Sequence, residues 1–484
     1  MARRQRLRQP FGVLRRPVPA HRPHPPHPAP GRDGTAGGVP VTPAGHRLPR
    51  AVLDALATGG GGPTAVEVLR SAQHSKNLLL IRALVVLTHR VDHPDRAAVE
   101  AAYRLVGGLD RGERQAAWGH PPVAAWAFGT ASLLSRGEHA AAYPGLLAAV
   151  AAAAAVRARA DADLDVPLDP ATPGRLDLPG LGTLRVDPTA ARARVRCAGG
   201  RAEVRCAGER IEIGYDHTPD HRWRPYPELR AARGGLTLRL LLDTGTWRHV
   251  PVALGVGAHP FADSVRDPGR WQHRLRGAWR LLADEHRAVA EEVSVALRTL
   301  VPLSPPRAGV RSGTFHHGFG AVAMSLPPDS RSAAVTLAHE IQHLKLAALT
   351  DLFPLVEPGP DESFYAPWRP DPRPLEGLLH GAYAHLGVAG FWRRQRLVER
   401  DPAARQHAEV EFVRWTRAVG ETLRVLAAQP RLTAVGRRLV DGMTPVLDRW
   451  AREPVEPDAA ADAGRLLAAH RAHWDRERAG ARPA

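Results

Sequence analysis

The chain has 484 residues, 44% hydrophobic and 24% charged, enough apolar content for two or three packed domains. Its 66 Lys and Arg against 49 Asp and Glu give a formal charge of +17, yet Lys76 and Lys345 are the only lysines. Such an arginine excess, with abundant Ala, Gly and Pro and only 5% aromatics, marks GC-rich coding rather than a phosphate-binding groove or a stacking platform, so nucleic acid is not an expected partner.

Residues 1–45 are rich in Arg, Pro, Gly and His without periodicity, and ten arginines against one acid fall in the first 50 residues. This composition predicts a disordered tail, one that an upstream start codon would account for, with His24 and His27 solvated. Met1 to Arg16 lacks the apolar centre of a signal peptide, which argues for a cytoplasmic protein. From residue 46 to 165 apolar residues recur at helical spacing, as in TAVEVLRSAQHSKNLLLIRALVVLTHR, and predict an N-terminal helical region. The apolar run Ala140 to Val156 is mostly alanine, carries Pro144 and falls short of the roughly 20 apolar residues of a membrane span. It reads as a buried or amphipathic helix, and no membrane partner is expected.

Residues 166–250 change texture, with alternating segments such as ARVRCAG, AEVRCAG, RIEIGY and LTLRLLLDT that predict short antiparallel strands. Cys197 and Cys206, in a duplicated VRCAG phrase, are expected at facing strand positions in a reducing compartment. The region 251–484 returns to helix over 269–300, 332–350, 374–399, 403–428, 430–450 and 458–476, with a loop before 374. The expected fold class is α+β, mainly helical, with a small antiparallel β region between an N-terminal helical region and a C-terminal helical metal-binding region.

The chemistry-bearing motif is His339-Glu340-Ile341-Gln342-His343, inside an apolar-periodic helix. On a 3.6-residue helix, positions i and i+4 lie about 40° apart, so both imidazoles can address one metal ion; a packed pair of core histidines is the alternative. Glu340 would be the general base of a zinc hydrolase, or, in an iron oxygenase, a group that holds a ligand or substrate by hydrogen bonding. The metzincin pattern fails, because Leu346 and Leu349 stand where Gly and His are required. Third-ligand candidates are Glu357 and Glu362 in the following loop, then Glu376, His380 and His385 on the next helix. Glu376 and His380 share a face, whereas His385, about 140° further round, is expected to pack or to face solvent. Lys345 lies about 200° around the helix from His343 and is expected to pair structurally on the far face.

The runs HRLPRAVLDALATGGGGPTAVEVLR (46–70), FGAVAMSLPPD (319–329), HEIQHLKLAALTDLFPL (339–355) and FYAPWRPDPRPLEGLLHGAYAHLGVAGFW (364–392) resemble the HExxH-type peptide-modification family. Members occur beside, or fused to, radical-SAM peptide maturases in clusters for ribosomally made, modified peptides. The resemblance spans roughly 46–425. It implies an Fe(II)- and 2-oxoglutarate-dependent oxygenase that uses O2 to hydroxylate the β-carbon of a precursor-peptide side chain, with His380 joining His339 and His343 as metal ligand. Three protein ligands leave three positions for 2-oxoglutarate and O2. The distal carboxylate then needs an anchor, for which Arg369 and Arg373 are the candidates, with Tyr365 adding a hydrogen bond. A zinc peptidase of gluzincin type is the alternative enzyme, and a non-catalytic peptide-maturation partner the alternative without chemistry.

Overall fold

The computed structural model describes residues 46–199, 201–213, 221–245, 267–306 and 309–480. The tail expected over 1–45 lies outside them. Six helices open the described chain: α1 (Arg50–Ala57), α2 (Gly62–Arg90), α3 (Arg96–Gly108), α4 (Arg111–Trp118), α5 (Pro121–Ser135) and α6 (Leu146–Ala158). Strands β1 (Ala162–Pro167) to β9 (Leu236–Leu242) follow, then α7 (Pro268–Glu285), α8 (Arg287–Ala296), β10 (Thr299–Leu303), β11 (Ser312–Thr314) and β12 (Ala321–Ser325). Five helices finish it: α9 (Ser330–Thr350), α10 (Leu375–Val398), α11 (Pro402–Ala427), α12 (Ala434–Ala451) and α13 (Pro457–Gly480). The molecule is α+β and mainly helical, as its periodicity predicts.

The β region divides three ways. β4 (Arg192–Ala198), β5 (Arg201–Cys206) and β6 (Glu209–Ile213) extend from β1 as an antiparallel sheet, and the in-and-out alternation of β4 and β5 is what a half-buried ribbon shows. Cys197 pairs across the ladder with Ala202, so the two cysteines do not face each other; both are buried free thiols. A second small sheet joins β2 (Arg175–Leu178), β3 (Gly182–Arg185) and β7 (Trp223–Pro225). The third sheet has the order β11-β12-β10-β9-β8, with β8 spanning Glu228–Arg233. Here β10 runs parallel to both β9 and β12. The helical stretch expected over 269–300 thus breaks at His286 and ends in a central parallel strand. A parallel neighbour requires a crossover, and α7 and α8 lie within it.

Two large apolar cores result, with a third, small cluster of Val301, Leu303, Phe315, Ala321 and Ala323. One gathers α3 to α6, the two smaller sheets and the C-terminal half of α2 through Ile81 and Leu84. Its axis is α6, whose residues Leu147 to Val156 are all buried. The apolar stretch His139–Ala158 is therefore mostly interior to this lobe, through α6. The other core gathers the five-stranded sheet and α7 to α13, together with α1 and the N-terminal half of α2 through Ala65, Val66 and Leu69. The 29-residue α2 belongs to both, so the N-terminal helices do not form a lobe of their own.

Candidate metal centre

α9 carries the HExxH motif through the middle of the second core. Asp329 caps it, accepting a hydrogen bond from the Ser332 amide at 2.7 Å. Every residue from Ala333 to Leu349 is buried except His343, which marks the side on which the motif meets solvent. Burying a helix all round requires close neighbours, and Gly387 of α10 supplies one approach: a Cβ there would stand 3.0 Å from the Ala338 carbonyl oxygen.

The two motif imidazoles converge. His339 Nε2 and His343 Nε2 lie 3.1 Å apart, with ring centroids 4.7 Å apart and planes at 76°. Two nitrogens bound at about 2.1 Å and at right angles on one ion are about 3.0 Å apart, so the pair matches one edge of an octahedral site. Burial holds the His339 pKa down to about 4, which leaves the ring neutral and able to ligate at neutral pH. Glu340 is fully buried; its Oε1 accepts a hydrogen bond from Ser312 Oγ of β11 at 2.7 Å and lies 3.9 Å from His339 Nε2. The carboxylate thus stands beside the imidazole pair rather than in solvent.

Lys345 pairs on the far face, as its helical position predicts. Its buried ammonium donates to Glu292 Oε2 of α8 at 2.7 Å and to the Gly59 and Gly60 carbonyls at 3.0 and 2.9 Å. Glu292 Oε1 in turn accepts from the Gly62 amide. Burial lowers the lysine pKa, and the Glu292 carboxylate opposes that shift. Gln342 also donates to the Gly59 carbonyl, so the turn between α1 and α2 is pinned against the metal helix.

The third-ligand candidates separate clearly. Glu357, Glu362 and Glu376 are exposed. His380 lies over the same face of α9, its ring nearly parallel to that of His343 at 6.4 Å and its Nε2 3.5 Å from Thr350 Oγ1. That spacing exceeds the 4.7 Å between the His339 and His343 rings, so joining them on one face of an ion would draw His380 inward. His385 packs, the first of its two expected fates: it is sandwiched near Trp368 and Trp415, with its ring 5.0 Å from that of His339. Its Nδ1 donates to the Gly381 carbonyl at 2.8 Å, which leaves a buried Nε2 lone pair. Burial first, and His339 second, hold its pKa well below the usual histidine range. Gly381 itself is required because any Cβ would overlap the Trp368 indole.

The three residues expected to hold a cosubstrate do not form one cluster. Arg369 is buried and makes a two-toothed pair with Asp371, Nε to Oδ1 at 2.8 Å and Nη2 to Oδ2 at 2.9 Å. Arg373 lies 3.6 Å from the same carboxylate. Tyr365 instead turns to α13, its hydroxyl 2.9 Å from His470 Nδ1 and its ring under the Arg471 guanidinium at 4.4 Å.

A further cation was not singled out by the sequence. Arg414 of α11 is buried, stacked on the Trp415 ring at 4.4 Å, with one long contact of 3.4 Å to Glu411 and a buried Nε without a hydrogen-bond partner. Its charge is felt by His385 and by Tyr365. The signal in the sequence was an arginine on the apolar face of EVEFVRWTRAV, but 64 arginines hide one (66 Lys and Arg less two lysines).

The chain matches no protein-family model and no curated protein.

Proposed function

We propose that this protein is an Fe(II)- and 2-oxoglutarate-dependent oxygenase that hydroxylates a side-chain β-carbon of a ribosomally made precursor peptide in the cytoplasm. The observation that carries the metal assignment is the 3.1 Å separation of His339 Nε2 and His343 Nε2, the edge of an octahedron with bonds of about 2.1 Å. The reaction class, the peptide and a radical-SAM maturase as working partner rest on the family resemblance of the runs at 319–329, 339–355 and 364–392.

In this reading His339, His343 and His380 hold the ion, which supplies O2 activation and hydrogen abstraction when it is bound with its cosubstrate. The chain's own residues do the rest. His343, alone in its stretch of α9 in reaching solvent, marks the peptide's approach. Trp368, stacked on His385 at 4.6 Å, excludes water from the His339 side. Glu340 is fixed by Ser312 and steers the polar edge of the site. A dicarboxylate entering beside Arg369 and Arg373 would exchange with Asp371, which holds that place in the free protein.

The test combines metal, cosubstrate and product. Protein loaded with Fe(II) should bind about one iron per chain at the motif, lose it in His339→Ala, and release succinate only with its peptide, which gains 16 Da. His380→Ala should abolish iron binding at the motif while His385→Ala retains it; the reverse result moves the third ligand to His385. Zinc retained at the motif, with peptide cleavage and no O2 consumption, overturns the oxygenase reading in favour of a peptidase.

A further inference from the structure

A second cluster of metal-ligating side chains lies at the C-terminal end of α9, independent of the HExxH pair. His316 and His317, in the turn after β11, meet Asp351, the residue that ends α9; one ligand atom from each lies within 4.8 Å of the other two. His316 Nε2 is 3.3 Å from Asp351 Oδ1. The two rings stand 4.6 Å apart with planes at 78°, nearly the arrangement of His339 and His343 at 4.7 Å and 76°.

The surroundings are those of a prepared carboxylate ligand. Lys76 Nζ and Gln73 Nε2 of α2 both donate to Asp351 Oδ2, at 2.6 and 2.8 Å, which fixes the carboxylate and leaves Oδ1 turned to the histidines. Ligating carboxylates are ordinarily held by such outer hydrogen bonds. His317 is held by Phe128, its ring stacked at 3.5 Å, and its Nδ1 is buried without a hydrogen-bond partner. His316 is 37% exposed in its side chain, which gives an ion a way in. Burial and the neighbouring His316 lower the His317 pKa, which favours the neutral ring with one nitrogen lone pair.

We propose that His316, His317 and Asp351 form a second binding site for a divalent transition metal ion. Two imidazoles and one carboxylate suit Zn(II), Fe(II), Co(II) or Mn(II) with solvent in the remaining positions. Bound there, the ion would clip the turn after β11 to the end of the HExxH helix and, through Lys76 and Gln73, to α2.

The site is tested by titrating the metal-stripped full chain with Co(II), following visible absorption and calorimetry. The wild type should bind one more equivalent than His316→Ala, and that equivalent should remain in a His339→Ala/His343→Ala variant. His316 is part-exposed, so its loss should leave the far-ultraviolet circular dichroism unchanged. Asp351→Asn, isosteric and uncharged, should weaken the same equivalent at least about 10-fold, the lower end of what disturbing even an outer partner costs. Weak binding to the His-rich residues 21–27 is common to all variants and cancels in the difference. Wild-type stoichiometry and affinity in both His316→Ala and Asp351→Asn overturns the proposal, as does a wild type whose tight binding is lost entirely in His339→Ala/His343→Ala.

Discussion

The two cores of this molecule are built on opposite rules. Around α6 the interior is hydrocarbon and small: ten consecutive buried residues, seven of them alanine, face other apolar side chains. Around α9 the interior holds His286, Glu292, His339, Glu340, Lys345, Arg396 and other polar groups, all buried. Burying a charge costs several kcal/mol unless it is paired, so a core loaded with paired charges gains little stability from them over an apolar core. What the α9 core gains is position: Ser312 fixes Glu340, and Lys345 with Glu292 holds the turn between α1 and α2 against the motif helix.

The largest effect should come from splitting one of its charge pairs. Lys345→Met strands Glu292 in the interior and is expected to cost about 3–5 kcal/mol in urea denaturation of the metal-free protein. Adding Glu292→Leu should recover most of that loss, because neither charge is then buried. A single variant within about 1 kcal/mol of wild type would show that the pair is hydrated, and the contrast between the cores would fall.

A second measurement uses acid. His286 is buried against Phe391, with its Nε2 donating to Gln395 Oε1 at 3.0 Å, and burial lowers its pKa from 6.5 to about 4. The unfolded chain therefore takes up this proton first. Its contribution is fully present above pH 6.5 and is lost as pH falls from 6.5 to 4, a total of roughly 3 kcal/mol. His286→Phe keeps the ring stack and should flatten that part of the stability profile relative to wild type; an unchanged slope would mean the ring is already solvated.

The smallest effect belongs to the alanine core. Ala152 is fully buried, and Ala152→Leu should cost about 1–3 kcal/mol by overpacking. Metal stoichiometry at His339 and His343 should not change. If it does, the two cores are coupled more tightly than their separate packing implies.

How much of this was legible in the sequence follows from the same contrast. Helices α9 to α13 were readable within a few residues, because each is a long run of apolar-rich sequence between loop residues and most have a clear start signal, such as Asp329, Asp401 or Thr433. The ribbon strands were readable by alternation. β10 (TLVPL) and β12 (AVAMS) were not, since both are buried on every residue and lack any period. The motif pair was legible from spacing alone. The pairing of Arg369 with Asp371, two residues away, was not, because a charged neighbour in a loop is as often solvated as paired. Nor could the sequence show that Trp368 would stack on His385, which depends on the space left at Gly381.

Lys345 has its carbonyl partners 285 and 286 residues earlier in the chain, at Gly60 and Gly59. During synthesis at about 5–20 residues per second, roughly 15 to 60 seconds pass between the appearance of that turn and of the lysine that holds it. Throughout that interval Leu56, Ala65, Val66 and Leu69 have been made while most of their core has not. The nascent chain thus carries an unpaired apolar segment until the HExxH helix emerges, and chaperone dependence should map to α1 and the first half of α2.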